Sequence, residues 1–284
     1  METRRMDGKD IAGQIKEEWK KKIQDLGEIY GRGPALAVIL VGEDPASQVY
    51  VRNKKKACES VGIFSKTFPF PDTATQDEVL SLIGRLNKDP EMDGILVQLP
   101  LPPQMDEQKV MKAIAPEKDV DGFHPLNVGR LLTGEDGFIP CTPAGILELL
   151  KRSKIKMDGQ NCVIVGRSNI VGKPMAALML RENATVTVAH SHTKKLESVC
   201  KQADILIVAM GKPKEITADY IKKGATVIDV GIHRMEDGKL CGDVDFASVD
   251  GMASAITPVP GGVGPMTIAM LVNNCCISWM RKRT

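Results

Sequence analysis

The chain has 284 residues, about twice the length of an ordinary single domain, so two lobes or one large α/β domain are expected and a small disulfide-stapled scaffold is excluded. Thirty-eight Lys and Arg against 36 Asp and Glu leave a net charge of +2, too even a balance for a chain whose main partner is nucleic acid or an acidic membrane. Hydrophobic residues at 43% and charged residues at 26% are ordinary for a globular protein and unlike a disordered one.

The opening METRRMDGKDIAGQIKEEWKKK is charged, with no apolar stretch and no small-residue cleavage site, so no secretory signal is expected. The longest uninterrupted apolar run, Ala35 to Val41, has seven residues where a bilayer needs about twenty, so no membrane span is expected either. Seven cysteines, at 58, 141, 162, 200, 241, 275 and 276, include no CxxC pair and mostly fall in apolar runs. They read as buried thiols of a reducing compartment, with no metal site.

The run from 35 to 42 is apolar throughout, as a parallel strand covered on both faces must be. Asp44 then supplies an N-cap, Pro45 a first helical residue and Gly62 a stop, so a helix is expected over 45–61. A helix near 77–88 precedes a strand, GILVQLP, at 94–100, and Thr142 with Pro143 is expected to cap a helix in PAGILELLKR. The pattern then restarts with strands CVIVG (162–166), TVTVAH (185–190), DILIVAMG (204–211) and TVIDVG (226–231), each pair separated by a helix. Such alternation argues for a doubly wound parallel sheet. The restart near 140–160 marks a domain boundary, and the apolar segment MTIAMLVNNCCISWMRK is expected to form a helix that returns to the first lobe.

Strand CVIVG runs into GRSNIVGKP (166–174), where glycine admits backbone N–H groups to a pyrophosphate and a helix start near Pro174 adds partial positive charge. The spacing is GxSxxxGxP and not GxGxxG, so a plain tight turn fits it as well. The next strand ends His190, Ser191, His192, Thr193, without the carboxylate that would hold the ribose hydroxyls of NAD. Arg167 and Ser191 together suit the extra 2′-phosphate of NADP instead. A solvated loop arginine is the plainer alternative for Arg167.

Tyr50 and Lys54 are four apart on the 45–61 helix and share a face, with Lys56 close by. A lysine that is both desolvated and near like charge loses basicity and becomes a proton acceptor. Taken alone, the run RNKKK fits a solvated basic face better than a buried lysine. Gln98 stands at the carboxyl end of its strand, where open parallel sheets bind ligands, and a strand-end amide facing solvent fits it as well. Asp119 and Asp121 alternate in KDVDG, so only one faces a given site, and Asp121, ahead of Gly122, is the better acceptor, although an ordinary turn carboxylate fits it equally well. PVPGGVGPMT (258–267) reads either as a rigid loop exposing its backbone or as a stiff connector.

Taken together, YVRNKKK (50–56), GILVQLPLP (94–102), PEKDVDGFHP (116–125), VGRSNIVGKP (165–174) and ITPVPGGVGPMT (256–267) closely resemble the bifunctional methylenetetrahydrofolate dehydrogenase/methenyltetrahydrofolate cyclohydrolase family over nearly the whole chain. The resemblance implies an α/β fold of two lobes: an N-terminal α/β catalytic, folate-binding domain (1–140 plus the C-terminal helix 265–284) and a Rossmann-type NADP domain (141–264). It implies an active site in the cleft between them, a cytoplasmic homodimer, and a place in the one-carbon metabolism that feeds purine biosynthesis. By the same likeness Lys54 is the catalytic lysine, Gln98 supports it, Tyr50 stacks on the folate and Asp121 holds the pterin. Val97, Leu99 and the run Pro260, Gly261, Gly262, Val263 and Gly264 line the folate side. Gly166, Arg167, Ser168, Ser191 and Ile232 hold NADP. A shikimate or amino acid dehydrogenase shares the two-lobed plan but has no need of YVRNK and QLPLP.

Overall fold

The computed structural model describes residues 2–282. In chain order the elements are β1 (Arg4–Arg5), α1 (Gly8–Tyr30), β2 (Ala35–Val41), α2 (Pro45–Val61), β3 (Phe64–Phe70), α3 (Gln76–Lys88), β4 (Gly94–Val97), α4 (Glu107–Ala113), α5 (Pro125–Thr133) and α6 (Cys141–Arg152). They continue with β5 (Asn161–Val165), α7 (Gly172–Arg181), β6 (Thr185–Ala189), α8 (Leu196–Cys200), β7 (Ile205–Val208), β8 (Thr226–Asp229), β9 (His233–Arg234), β10 (Leu240–Cys241), α9 (Phe246–Val249), β11 (Ala255–Ile256) and α10 (Val263–Arg281).

The chain divides into two compact units. Among the described residues the first comprises 13–141 and 268–282, the second 2–12 and 142–267, so the divisions fall inside α1, after the first residue of α6 and inside α10. Residues 2–12 therefore belong with the second unit, whereas the sequence pattern alone keeps 1–140 together. The reason is backbone pairing: Arg4 and Arg5 in β1 pair in parallel with Ala255 and Ile256 of β11, an attachment that two charged residues do not advertise.

In the first unit, β2 lies between β3 and β4 in a parallel three-stranded sheet. All of β2 except the half-buried Leu40 is buried, consistent with its continuous apolar run. One core forms where Ala37, Ile39, Ile95 and Val97 meet Val79, Ile83, Leu86 of α3 and Val110 of α4. The helix α2 runs from Pro45 to Val61 as expected: the Asp44 carboxylate accepts from the Ser47 N–H at 2.7 Å, and Gly62 closes the helix in the left-handed conformation. The strand at 94 is shorter than expected, ending at Val97, because Pro100 and Pro102 bring no N–H to continue it. Residues of α10 complete this unit, with Trp279 wholly buried and the Ser278 hydroxyl donating to the carbonyls of Asp93 (2.6 Å) and Glu117 (2.8 Å).

In the second unit a six-stranded sheet has the order β1-β11-β8-β7-β5-β6, every neighbouring pair parallel. The order reverses at β5, whose neighbours are β6 and β7, the arrangement that opens a ligand crevice at the carboxyl ends of a doubly wound sheet. Between β7 and β8 there is only a 3-10 turn at Ala218–Tyr220 where the alternation predicts a helix. Likewise α6 begins at Cys141, so Thr142 lies within its first turn and hydrogen-bonds the Thr267 hydroxyl at 3.0 Å instead of capping.

All seven cysteines are free and buried. Helix α10 is, among the described residues, the one helix long and apolar enough to cross a bilayer, but 61% of its apolar window is buried within the protein, as in a core helix.

Candidate active site

Lys54 stands on the third turn of α2, and its side chain turns inward, leaving the residue only 7% exposed. The solvated basic face therefore does not describe it, although Lys55 on the same helix does reach outward to Glu59. The Lys54 Nζ donates to the Gln98 Oε1 at 3.2 Å, and the Gln98 Nε2 donates to the Leu99 carbonyl at 2.6 Å. That second bond fixes which end of the amide faces the lysine. Gln98 is itself held by its backbone N–H on the Ile39 carbonyl, just past the end of β4. Tyr50, one turn before Lys54, is 39% exposed, and desolvation pushes its phenol above the ordinary value. It presents a neutral ring at the site.

The segment KDVDG runs along the free edge of β4, with the Ile95 N–H donating to the Lys118 carbonyl at 2.8 Å. The two aspartates then separate as alternation requires. Asp119 is consumed internally: its Oδ2 accepts from the His124 N–H (2.8 Å) and the Asn127 Nδ2 (2.9 Å), and burial pushes its carboxyl above the usual range. Asp121, 7% exposed, lies by Cys141, whose N–H donates to the Asp121 carbonyl at 3.3 Å and whose thiol is raised well above its ordinary value first by burial and then by the Asp121 carboxylate, with Lys54 acting oppositely. Asn274 of α10 reaches the same place, its Nδ2 donating to the carbonyls of Val120 (2.9 Å) and Ile139 (3.1 Å). Sequence reasoning singles out neither Cys141 nor Asn274. Two Asn residues interrupting an otherwise apolar helix are the available signal. Val97 is 1% exposed and packs into the core, while Leu99 is partly buried against the same core.

The remaining site residues belong to the second unit. At the end of β5, Gly166 takes φ +133°, and a Cβ there would stand 2.2 Å from the Ala209 carbonyl oxygen. Only glycine lets the loop pass this close to β7. The Ser168 hydroxyl accepts from the N–H groups of Val171 (3.1 Å) and Gly172 (3.4 Å), the residue before α7 and its first residue. Two of the N–H groups that the sequence offers to a phosphate are thus already occupied by this serine. Arg167 and Ser191 are both exposed at the carboxyl ends of β5 and β6, adjacent strands in register at Val165 and Ala189. No carboxylate lies in residues 190–193. An arginine, two hydroxyls and a helix N-terminus suit a phosphorylated ribose and the pyrophosphate of NADP. Ile232, 44% exposed, has its Cδ1 against Gly264 of the rigid loop. That loop, with Val263 buried, is tied to the start of α1: the Lys9 N–H donates to the Gly261 carbonyl at 3.0 Å, and a side chain at Gly8 would collide with the Gly262 carbonyl. Gly8 escapes sequence reasoning, because nothing local distinguishes it.

Comparisons with known proteins agree with these two halves. The profile of the tetrahydrofolate dehydrogenase/cyclohydrolase catalytic domain matches residues 6–121, and that of the NAD(P)-binding domain of the same family matches residues 140–283. The bifunctional protein FolD of Agathobacter rectalis is 65% identical over 270 residues, covering 95% of this chain and 96% of that protein. Among solved structures, the bifunctional FolD methylenetetrahydrofolate dehydrogenase/cyclohydrolase of Campylobacter jejuni superposes with a TM-score of 0.97 at 50% identity, covering 99% of each chain. The Trypanosoma brucei enzyme, solved with NADP cofactor and an inhibitor, gives 0.95 at 37% identity and covers 100% of this chain and 99% of its own. On these matches, the chain belongs to the tetrahydrofolate dehydrogenase/cyclohydrolase family of bifunctional enzymes.

Proposed function

We propose that this chain oxidises 5,10-methylenetetrahydrofolate with NADP and hydrolyses the resulting 5,10-methenyltetrahydrofolate to 10-formyltetrahydrofolate, with Lys54 as the base of the second step. The observation that carries the reading is the buried Lys54 amine on the Gln98 amide, in the same unit as Asp121. Bound NADP would supply a hydride acceptor. Oxidation then asks little acid or base help of the protein, because a nitrogen lone pair on the folate expels the hydride. The protein's part is to orient the folate, through the Tyr50 ring, the Asp121 carboxylate, the Val97 backbone, Leu99 and the Pro260–Gly264 loop. Arg167 and Ser191 hold the 2′-phosphate, with Ser168, Gly166 and Ile232 beside the rest of the nucleotide.

Hydrolysis is different. The attacking water loses a proton to the Lys54 Nζ, directed by Gln98, as its oxygen bonds to the methenyl carbon and the C=N π pair returns to nitrogen. A ring nitrogen then takes up a proton and its bond to that carbon breaks, opening the ring to the formyl product. Positioned proton transfer of this kind contributes about 10²- to 10⁴-fold. Lys54→Met should therefore abolish hydrolysis of methenyltetrahydrofolate while NADP reduction by methylenetetrahydrofolate stays measurable in the same spectrophotometric assay. Undiminished hydrolysis by that variant would refute the assignment. Seven free thiols support a cytoplasmic location. The family likeness supports a homodimer, which sedimentation equilibrium tests directly.

A further inference from the structure

Asp243 is completely buried in the second unit, and both of its oxygens are fully used. Its Oδ2 accepts from the N–H groups of Met210 (2.8 Å) and Gly211 (3.1 Å), and its Oδ1 from the Lys212 N–H (2.8 Å) and the His233 Nε2 (2.7 Å). Four donors fill the four lone-pair positions a carboxylate offers. Three of them come from the loop after β7 and the fourth from the chain after β8, so this one carboxylate couples two loops. A second buried carboxylate, Asp229 at the end of β8, supports it by accepting from the N–H groups of Asp243 (2.9 Å), Val244 (3.0 Å) and Gly231 (3.1 Å).

The loop after β7 leaves the carboxyl end of a strand beside the point where the sheet order reverses, the place where such sheets bind nucleotides, and the segment after β8 leaves the same end of the next strand. Ile232 directly precedes His233. The histidine reaches inward to Asp243, while the isoleucine is 44% exposed and rests against Gly264. Consecutive residues of extended chain face opposite ways, so anchoring His233 inward presents Ile232 outward. We propose that His233 is a positioning residue for the nicotinamide cofactor: through Asp243 it locks the 210–212 and 231–234 loops into the one arrangement that NADP binds. The proposal rests on reading the second unit as the NADP site.

The test compares the wild type with His233→Leu and His233→Asn, measuring the NADP dissociation constant by calorimetry and the kcat and KM of the dehydrogenase. His233→Leu should raise both the dissociation constant and the KM for NADP about tenfold, the equivalent of one lost hydrogen bond to a charged group, with kcat at saturating NADP little changed. His233→Asn, which keeps an N–H donor, should restore most of the affinity. NADP affinity in His233→Leu equal to that of the wild type overturns the proposal, as does a fall confined to kcat. Should the leucine variant not fold, amide hydrogen exchange in the wild type decides: saturating NADP should slow exchange at 210–212 and 231–234 together, and unchanged exchange there refutes the coupling. A wild type that binds no NADP at all instead overturns the reading of the site on which this inference rests.

Discussion

At the scale of single residues, burial and hydrogen bonding divide groups that the sequence presents as equals. Lys54, Lys55 and Lys56 are consecutive, yet Lys54 is the buried one, because position 54 shares the inward stripe of α2 with Val51, Cys58 and Val61. Its partner is the sharper test of the assignment. Gln98→Leu should leave the lysine without its directing acceptor and lower the cyclohydrolase kcat by about 10²-fold, the smaller end of what positioned proton transfer contributes. An unaltered kcat would remove Gln98 from the machinery. At the cofactor loop, Arg167→Ala should weaken NADP by about ten- to a hundredfold, the equivalent of about 1.5–3 kcal/mol for a charge-assisted bond, and NAD far less. Equal losses for the two nucleotides would show that Arg167 does not read the 2′-phosphate. The helix position of Lys54 and the strand-end position of Gln98 were legible in the sequence from spacing alone. The contact between them was not, since 44 residues of chain separate the two.

Among elements, those whose ends carry their own chemistry match the sequence most closely. Asp44, Pro45 and Gly62 delimit α2 because cap hydrogen bonds and a left-handed turn are local interactions. Strand ends depend on neighbours, so β7 and β8 stop short of the apolar runs that contain them. The segment after β8 is an element of a different sort, a stretch of chain held by buried carboxylates. Burial pushes Asp229 up to about 6, with the adjacent Asp243 adding to the effect and the backbone N–H groups opposing it. The folded protein thus binds a proton at Asp229 more tightly than the unfolded chain does. The stability this gives is complete below the unfolded value near 4 and is lost as the pH rises through about 6. Urea midpoints taken at pH 4.5 and 6.5 should therefore show a decline in the wild type that is smaller in Asp229→Asn, whatever that variant's overall stability. The same decline in both proteins would show that Asp229 is not its source.

For the whole molecule, the last helix matters most. Residues 268–281 of α10 belong to the unit built from residues 13–141, and Trp279 there is fully buried, in edge contact with Tyr30 at 5.1 Å between ring centres. Trp279→Ala should lower the unfolding free energy by about 3–5 kcal/mol, the usual consequence of emptying a large aromatic site. Thermal denaturation checks it, and a change within error would mean that α10 is dispensable to that core. The sequence by itself determined the parallel α/β architecture, the limits of α2 and the family likeness, because apolar runs, caps and short motifs act through neighbours a few residues away. Only the tertiary structure decided that residues 4 and 5 extend a sheet whose other strands lie beyond residue 160, that Asp119 serves the turn while Asp121 stays by Cys141, and that the Ser168 hydroxyl takes up two N–H groups at the start of α7. Each of those outcomes is a competition between partners for one donor or acceptor, and such competitions are settled by distances that exist only once the chain has folded.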